Sequence, residues 1–133
     1  VIALALAVRH ARLAAVAAAL DAAEAGGRLR VYAAPRPVVP CADTDATLLV
    51  EARLPRPCWT GIANGVLRFD APPDTLALRS GTPAWARLAD GEGRFVADLD
   101  AGPPGSGAEL EIDPPLLHAG GTVHFALAEL TEP

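Results

Sequence analysis

Along the last two-thirds of the chain, apolar and polar residues alternate in short stretches closed by Asp, Gly or Pro, the pattern of consecutive β-strands joined by tight turns. Before them the period is helical. Residues 3–25 contain neither Pro nor Gly and are mostly Ala and Leu, strong helix formers. Leu6, Leu13 and Leu20 recur at a heptad interval, with Ile2 and Val16 in a neighbouring row, so one face carries the bulk. Arg9, His10 and Arg12 cluster at one level of this helix. Asp21 and Glu24 fall near its end, where acidic groups oppose the helix dipole. Gly26-Gly27 is expected to stop it.

From Arg28 the period is two. The pattern predicts strands over 28–32, 47–54 and 66–69, with a weaker one over 75–79. Pro-rich loops are expected over 34–46 and 55–65, because Pro is excluded from central strands. Residues 82–89 and 93–99 read as a hairpin around Asp90-Gly91. Residues 108–113 set Leu110 and Ile112 opposite Glu109, Glu111 and Asp113, and 122–130 set Val123 and Phe125 opposite His124 and Ala126. This spacing predicts a mainly β fold: an antiparallel, jelly-roll-like β-sandwich with one N-terminal α-helix. A single domain is expected over 1–133, with the helix and its cap in 1–27 and the sandwich in 28–133. The helix would cover an open edge or face of the sandwich, or else bind a partner through its Leu stripe.

Composition sharpens the core. Of 133 residues, 51% are hydrophobic, but Ala dominates and aromatics reach only 5%, so the few large side chains must form most of it. Trp59, Trp85, Phe69, Phe95, Phe125 and Tyr32 are the expected anchors. The eleven basic residues are all Arg, scattered along the chain, and the net charge is −5. A nucleic-acid partner, which needs a positive stripe, is therefore not expected. The apolar run VIALALAV is broken by Arg9, His10 and Arg12, too soon for a membrane helix and with no positive region before it for a signal peptide, so neither is expected. The spacing of Cys41 and Cys58 matches no zinc or redox motif; a disulfide and two buried free thiols both remain open, and burial of the thiols is favoured.

Candidate chemistry is sparse. Asp43 and Asp45 have the alternate spacing of a calcium loop without its Gly or closing Glu, and a polar turn explains them better. Asp98, Asp100, Glu109 and Glu111 could gather carboxylates from two strands, but alternation with apolar residues is what a half-exposed strand requires. His10, His118 and His124 fall on a helix, a loop and a strand, with no metal-ligand spacing. The only serines, Ser80 and Ser106, lie outside any nucleophile elbow. Trp59 and Trp85, with Tyr32, could stack on sugars, although the core has the stronger need of them. No catalytic, cofactor-binding or metal-binding residues are expected, and no cofactor.

The segments VRHARLAAVAAALDA, RLRVY followed by Arg36-Pro37, TLLVEARL, NGVLRFDA, GTPAWARLADGEGRFVADLDAG, GSGAELEID and AGGTVHFALAELTEP, taken in order, resemble a family of small structural proteins of tailed bacteriophages and prophages of GC-rich bacteria. The likeness spans nearly the whole chain and follows structural positions, not a catalytic motif. It departs where Ala33-Ala34-Pro35 replaces a polar turn before Arg36-Pro37, and at 38–40, where small polar residues are usual. The resemblance implies a non-enzymatic virion protein, made in the host cytoplasm and carried on the exterior of the phage particle. Its first expected role is a capsid decoration, or cement, protein. A tail or tail-fibre-associated protein and a carbohydrate-binding module aiding adsorption are the alternatives. Expected partners are the major capsid protein or other virion proteins and further copies of the chain, as a dimer or trimer, with no nucleic acid and no membrane. The interface expected on this reading uses Leu6, Arg9 and Leu13 of the helix and the loop residues Arg36 and Trp59.

Overall fold

In a computed structural model, the structure describes residues 2–131. One helix, α1 (Leu6–Asp21), precedes nine strands: β1 (Arg28–Tyr32), β2 (Leu48–Arg53), β3 (Trp59–Ala63), β4 (Val66–Phe69), β5 (Thr75–Leu76), β6 (Trp85–Ala89), β7 (Phe95–Gly102), β8 (Leu110–Asp113) and β9 (Thr122–Thr131). The mainly β reading with one helix therefore holds. The helix is shorter than its composition suggests and ends at Asp21 because the chain there is committed to tertiary contacts. The Asp21 carboxylate accepts from Cys58 N at 2.9 Å, and its carbonyl from Arg56 Nε at 2.8 Å. The chain then turns, and Gly26 adopts φ +73°, with Leu54 O only 3.0 Å from where a Cβ would stand.

The strands form one pairing network in the order β2-β1-β6-β7-β8-β9-β4-β3, with β5 attached to β9. The sheet is mixed, which corrects the antiparallel expectation. β7 and β8 run parallel through Ala101↔Leu110 and Gly102↔Glu111, while the other pairs are antiparallel. The cause lies in the 103–109 loop. It doubles back tightly, with Gly105 and Gly107 at positive φ, and Glu111 accepts from both of their amides at 2.9 and 3.3 Å. β8 can then overlap only the last two residues of β7. The sheet curls so that its β2 end approaches β5: Leu78 N, just past β5, donates to Leu49 O of β2 at 2.7 Å.

Inside the curl lies one core. Leu29 and Val31 of β1, Ala86 and Leu88 of β6, Leu110 and Ile112 of β8, and Val123 and Phe125 of β9 are buried in it. Leu13, Ala17 and Leu20 of α1 join them, and the helix packs against the face of β3 and β4 that bears Ile62, Leu67 and Phe69. Each large side chain fully buried there contributes about 1.5–3 kcal/mol. The Ala-rich helix suits this position, since small side chains let it approach the sheet closely.

The aromatic expectations divide. Phe69 and Phe125 are in the core, whereas Tyr32 and Phe95 are half-buried and Trp59 is 39% exposed. Trp85 is fully buried, but outside the main core cluster. The segment 55–65, expected to be a loop, contains β3, and the weak strand over 75–79 contracts to two residues.

Candidate functional site

Strand alternation puts Leu29 and Val31 inward, so Arg30 and Tyr32 face outward, beside Arg87 and Trp85 of β6 in register. Asp98 and Asp100 of β7 continue these rows. The result is a cluster on the convex side of the sheet. Tyr32 and Trp85 stack with centroids 4.5 Å apart and an interplanar angle of 14°. The Arg87 guanidinium lies 5.2 Å from the Trp85 centroid and 5.3 Å from that of Phe95. It donates to both carboxylate oxygens of Asp98, at 2.8 and 3.1 Å. The Asp98 hydrogen bond is the main influence raising the Arg87 pKa above its ordinary value, opposed by desolvation.

The Pro-rich 33–46 loop folds over this cluster. Trp85 Nε1 donates to Ala33 O at 3.0 Å, and Arg87 Nη1 donates to Ala42 O at 2.9 Å. Arg36 pairs with Asp100 and donates to Asp98 O at 3.3 Å. Arg36, expected at a partner interface, thus ties its own loop to β7. Asp98 and Asp100 hold Arg residues, and the Asp100 amide donates to Glu109 Oε1 at 3.2 Å. The four acidic side chains are each used locally and form no shared carboxylate site.

A second region lies at the other end of the sheet. β3 is the terminal strand, and among the described residues no strand pairs with its far side. Asn64-Gly65, both at positive φ, join it to β4 in a tight hairpin, and the Gly65 amide donates to His10 Nε2 at 2.9 Å. A register shift between Trp59 and Gly61 marks a bulge. An open groove of about 480 Å³ runs over the outer face, lined by Thr60, Gly61, Ala63, Val66, Arg68 and Glu129, with the last two ion-paired at 3.2 Å.

The expected interface residues do not come together. Leu13 is 3% exposed and packs in the core of the single chain; a helix inserted into a curled sheet buries its central Leu. Leu6, 43% exposed, lies one turn beyond His10 at the Asn64-Gly65 end of β3, and Arg9 is half-buried beside it in the chain. Trp59 lies at the opposite end of β3, next to Cys58, whose amide binds Asp21. An edge strand among Pro residues gave no sequence signal except its β-branched and aromatic content, Trp59-Thr60-Gly61-Ile62.

The remaining candidates are separate. Cys58 is buried, with Sγ 3.8 Å from Ala17 O, while Cys41 is exposed, so the two thiols are free and only one is buried. Burial, followed by the nearby Asp21 charge, pushes the Cys58 thiol up to about 12. His124 meets Asp74 at 2.8 Å on the surface, His10 binds Gly65, and the His118 carbonyl accepts from Gly121 N. Thr44 Oγ1 accepts from Ala46 N within the Asp43–Asp45 turn. Among the described residues no three His, Cys, Asp or Glu side chains are grouped to hold a metal ion, and no helix is long and apolar enough to cross a membrane. Comparison with known protein families, curated proteins and solved structures finds no match to the chain.

Proposed function

We propose that the protein is a non-enzymatic structural component of tailed-bacteriophage virions, a small decoration protein on the exterior of the head. The observation that carries this reading is the convergence of its phage-like segments. The strand ending in Tyr32, the Arg36-Pro37 pair and the strand bearing Trp85 meet in one cluster, through the Tyr32–Trp85 stack and the Arg36–Asp100 pair. These residues hold the 33–46 loop on the sheet, and the loop itself departs from the family's usual pattern at Ala33-Ala34-Pro35 and 38–40. The groups best able to do chemistry are also engaged structurally: Arg87 with Asp98, Arg94 with Asp90, His10 with Gly65. In this reading the halves of the curled sheet act as the two layers of a sandwich, a rigid block for docking.

A decoration protein stabilises a shell by mass action: it binds the assembled state and has no equivalent site on free subunits. Its partner is the major capsid protein or another virion protein. The test is to purify the phage particles and locate the protein in them by imaging at side-chain resolution. Density on the shell supports the proposal. Density on the tail replaces it with a tail-associated role, and absence from mature particles overturns both.

A further inference from the structure

The two ends of the sheet differ in a way that bears on assembly. An unpaired edge strand is a template for another strand, and proteins that stay monomeric guard such edges with charge, Pro or a covering segment. β2, at one end, carries Glu51 and Arg53, and part of its edge is occupied, since Leu49 O accepts from Leu78 N and Leu48 O from Arg79 Nη1. β3, at the other end, carries the bulge at Trp59–Gly61 but, among the described residues, no charged side chain, no Pro within the strand and no strand paired to its far side. Between Arg56 and Arg68 the sequence PCWTGIANGVL has no charged residue, and Pro57 lies ahead of the strand.

We propose that β3 pairs antiparallel with β3 of a second copy of this chain, extending the sheet across a two-fold axis that passes between Thr60 and Gly61. The proposal concerns self-association and stands apart from the virion role. Register and charge favour a second copy over a foreign strand.

Trp59 pairs with Phe69 and Ile62 with Leu67, so both lie on the core-side face of the sheet. Cys58 O is already taken by Asp70 N, and Ala63 faces Val66 across the hairpin. Alternation then leaves the backbone groups of Trp59 and Ile62 pointing outward. A two-fold between Thr60 and Gly61 sets Trp59 opposite Ile62 of the other copy, and Ile62 opposite its Trp59. One strand supplies both halves of the match, an aromatic against a β-branched side chain, a favourable cross-strand pair. The bulge that lengthens the spacing between these residues is present in both copies and so keeps the register.

Charge points the same way. A strand paired with itself across a two-fold brings identical residues close to one another near the axis. Any charge there would meet its own sign, so a neutral edge is what self-pairing requires.

Gly61 supplies the test, because a Cβ there meets nothing within 4 Å and a side chain can be added without a clash in the single chain. Sedimentation velocity on the wild type should show a dimer, and Gly61→Ala should keep it. Gly61→Lys and Gly61→Glu, each alone, should weaken dimerisation by about tenfold or more, since like charges then sit beside the axis. An equimolar mixture of the Lys and Glu variants should restore it as a heterodimer. Circular dichroism and thermal unfolding check that each variant is folded. A wild type that remains monomeric into the high micromolar range overturns the proposal. So does a dimer indifferent to both charged variants, or a Lys–Glu mixture that fails to reassociate.

Discussion

Arg87 and Asp98 face each other across β6 and β7 in a two-pronged ion pair, on the side of the sheet away from the hydrophobic core, with side chains only 14% and 3% exposed. Burial at this level depends on the 33–46 loop, which lies over the pair and accepts a third hydrogen bond from Arg87 through Ala42 O. The loop and the pair therefore depend on each other.

Removing Asp98 alone should strand the charge of its partner. Asp98→Ala leaves a guanidinium covered and unpaired, and about 3 kcal/mol of stability should be lost. The double replacement Arg87→Leu/Asp98→Leu should cost less than the sum of the single changes, because neither charge is then stranded. Urea unfolding of the single and double variants measures the coupling. A single-variant loss well under 1 kcal/mol would show that the loop does not shield the pair.

The two tryptophans should report opposite environments. Trp85 is fully buried and its indole N–H is bonded to Ala33 O, whereas Trp59 lies open on the edge strand. Trp59→Phe should leave a blue-shifted emission barely quenched by acrylamide. Trp85→Phe should leave a red-shifted, readily quenched emission, with stability reduced by loss of the Tyr32 stack. Equal quenching in the two variants would contradict this placement of the aromatics.

Strand positions were legible wherever burial alternates along one strand. Val123 and Phe125, and Leu110 and Ile112, face inward as their period-two pattern predicts. The pattern was silent where a strand has no buried face of its own. β3 carries Trp59, Thr60, Gly61, Ile62 and Ala63, all exposed or half-buried, and sits between Pro57 and a turn, so it read as a loop. The parallel β7–β8 pair was hidden for a different reason. It depends on Glu111 reaching back to the amides of Gly105 and Gly107, and no periodicity records such a contact. Trp85 is buried as its composition predicts, but the loop that covers it, held by the bond from its indole N–H to Ala33 O, has no periodic signature.

Asp90 should make stability sensitive to acid. Its Oδ1 accepts from Glu92 N and Arg94 N, both at 2.9 Å, and its Oδ2 meets Arg94 Nε at 2.9 Å, closing the β6–β7 turn. These contacts, led by the Arg94 amide, hold its carboxyl below the ordinary value near 3.8. A carboxyl whose folded pKa is depressed stabilises the fold above its unfolded pKa, and that contribution is lost as pH falls through the folded one. Asp90→Asn should therefore lower the melting temperature at neutral pH and have much less effect at pH values low enough to protonate the native Asp90. A difference between wild type and variant that is the same at both extremes would remove this turn from the acid response.

Cys58 should make stability sensitive to alkali, in the opposite sense. Burial raises its thiol from 9.0 to about 12, with Asp21 adding to the shift. Between those values the unfolded chain releases a proton that the folded chain keeps, so stability is complete below pH 9 and declines as pH rises toward 12. The decline should approach about 1.4 kcal/mol per pH unit in the middle of that window. Cys58→Ala should remove this slope while lowering stability at neutral pH, since it empties part of the space beside Ala17. The same burial should leave Cys58 unlabelled by a thiol reagent in the native protein, with the exposed Cys41 reacting at once. Rapid labelling of both thiols before unfolding, or an alkaline slope unchanged in Cys58→Ala, would show that the Asp21–Cys58 seam between α1 and β3 opens in solution.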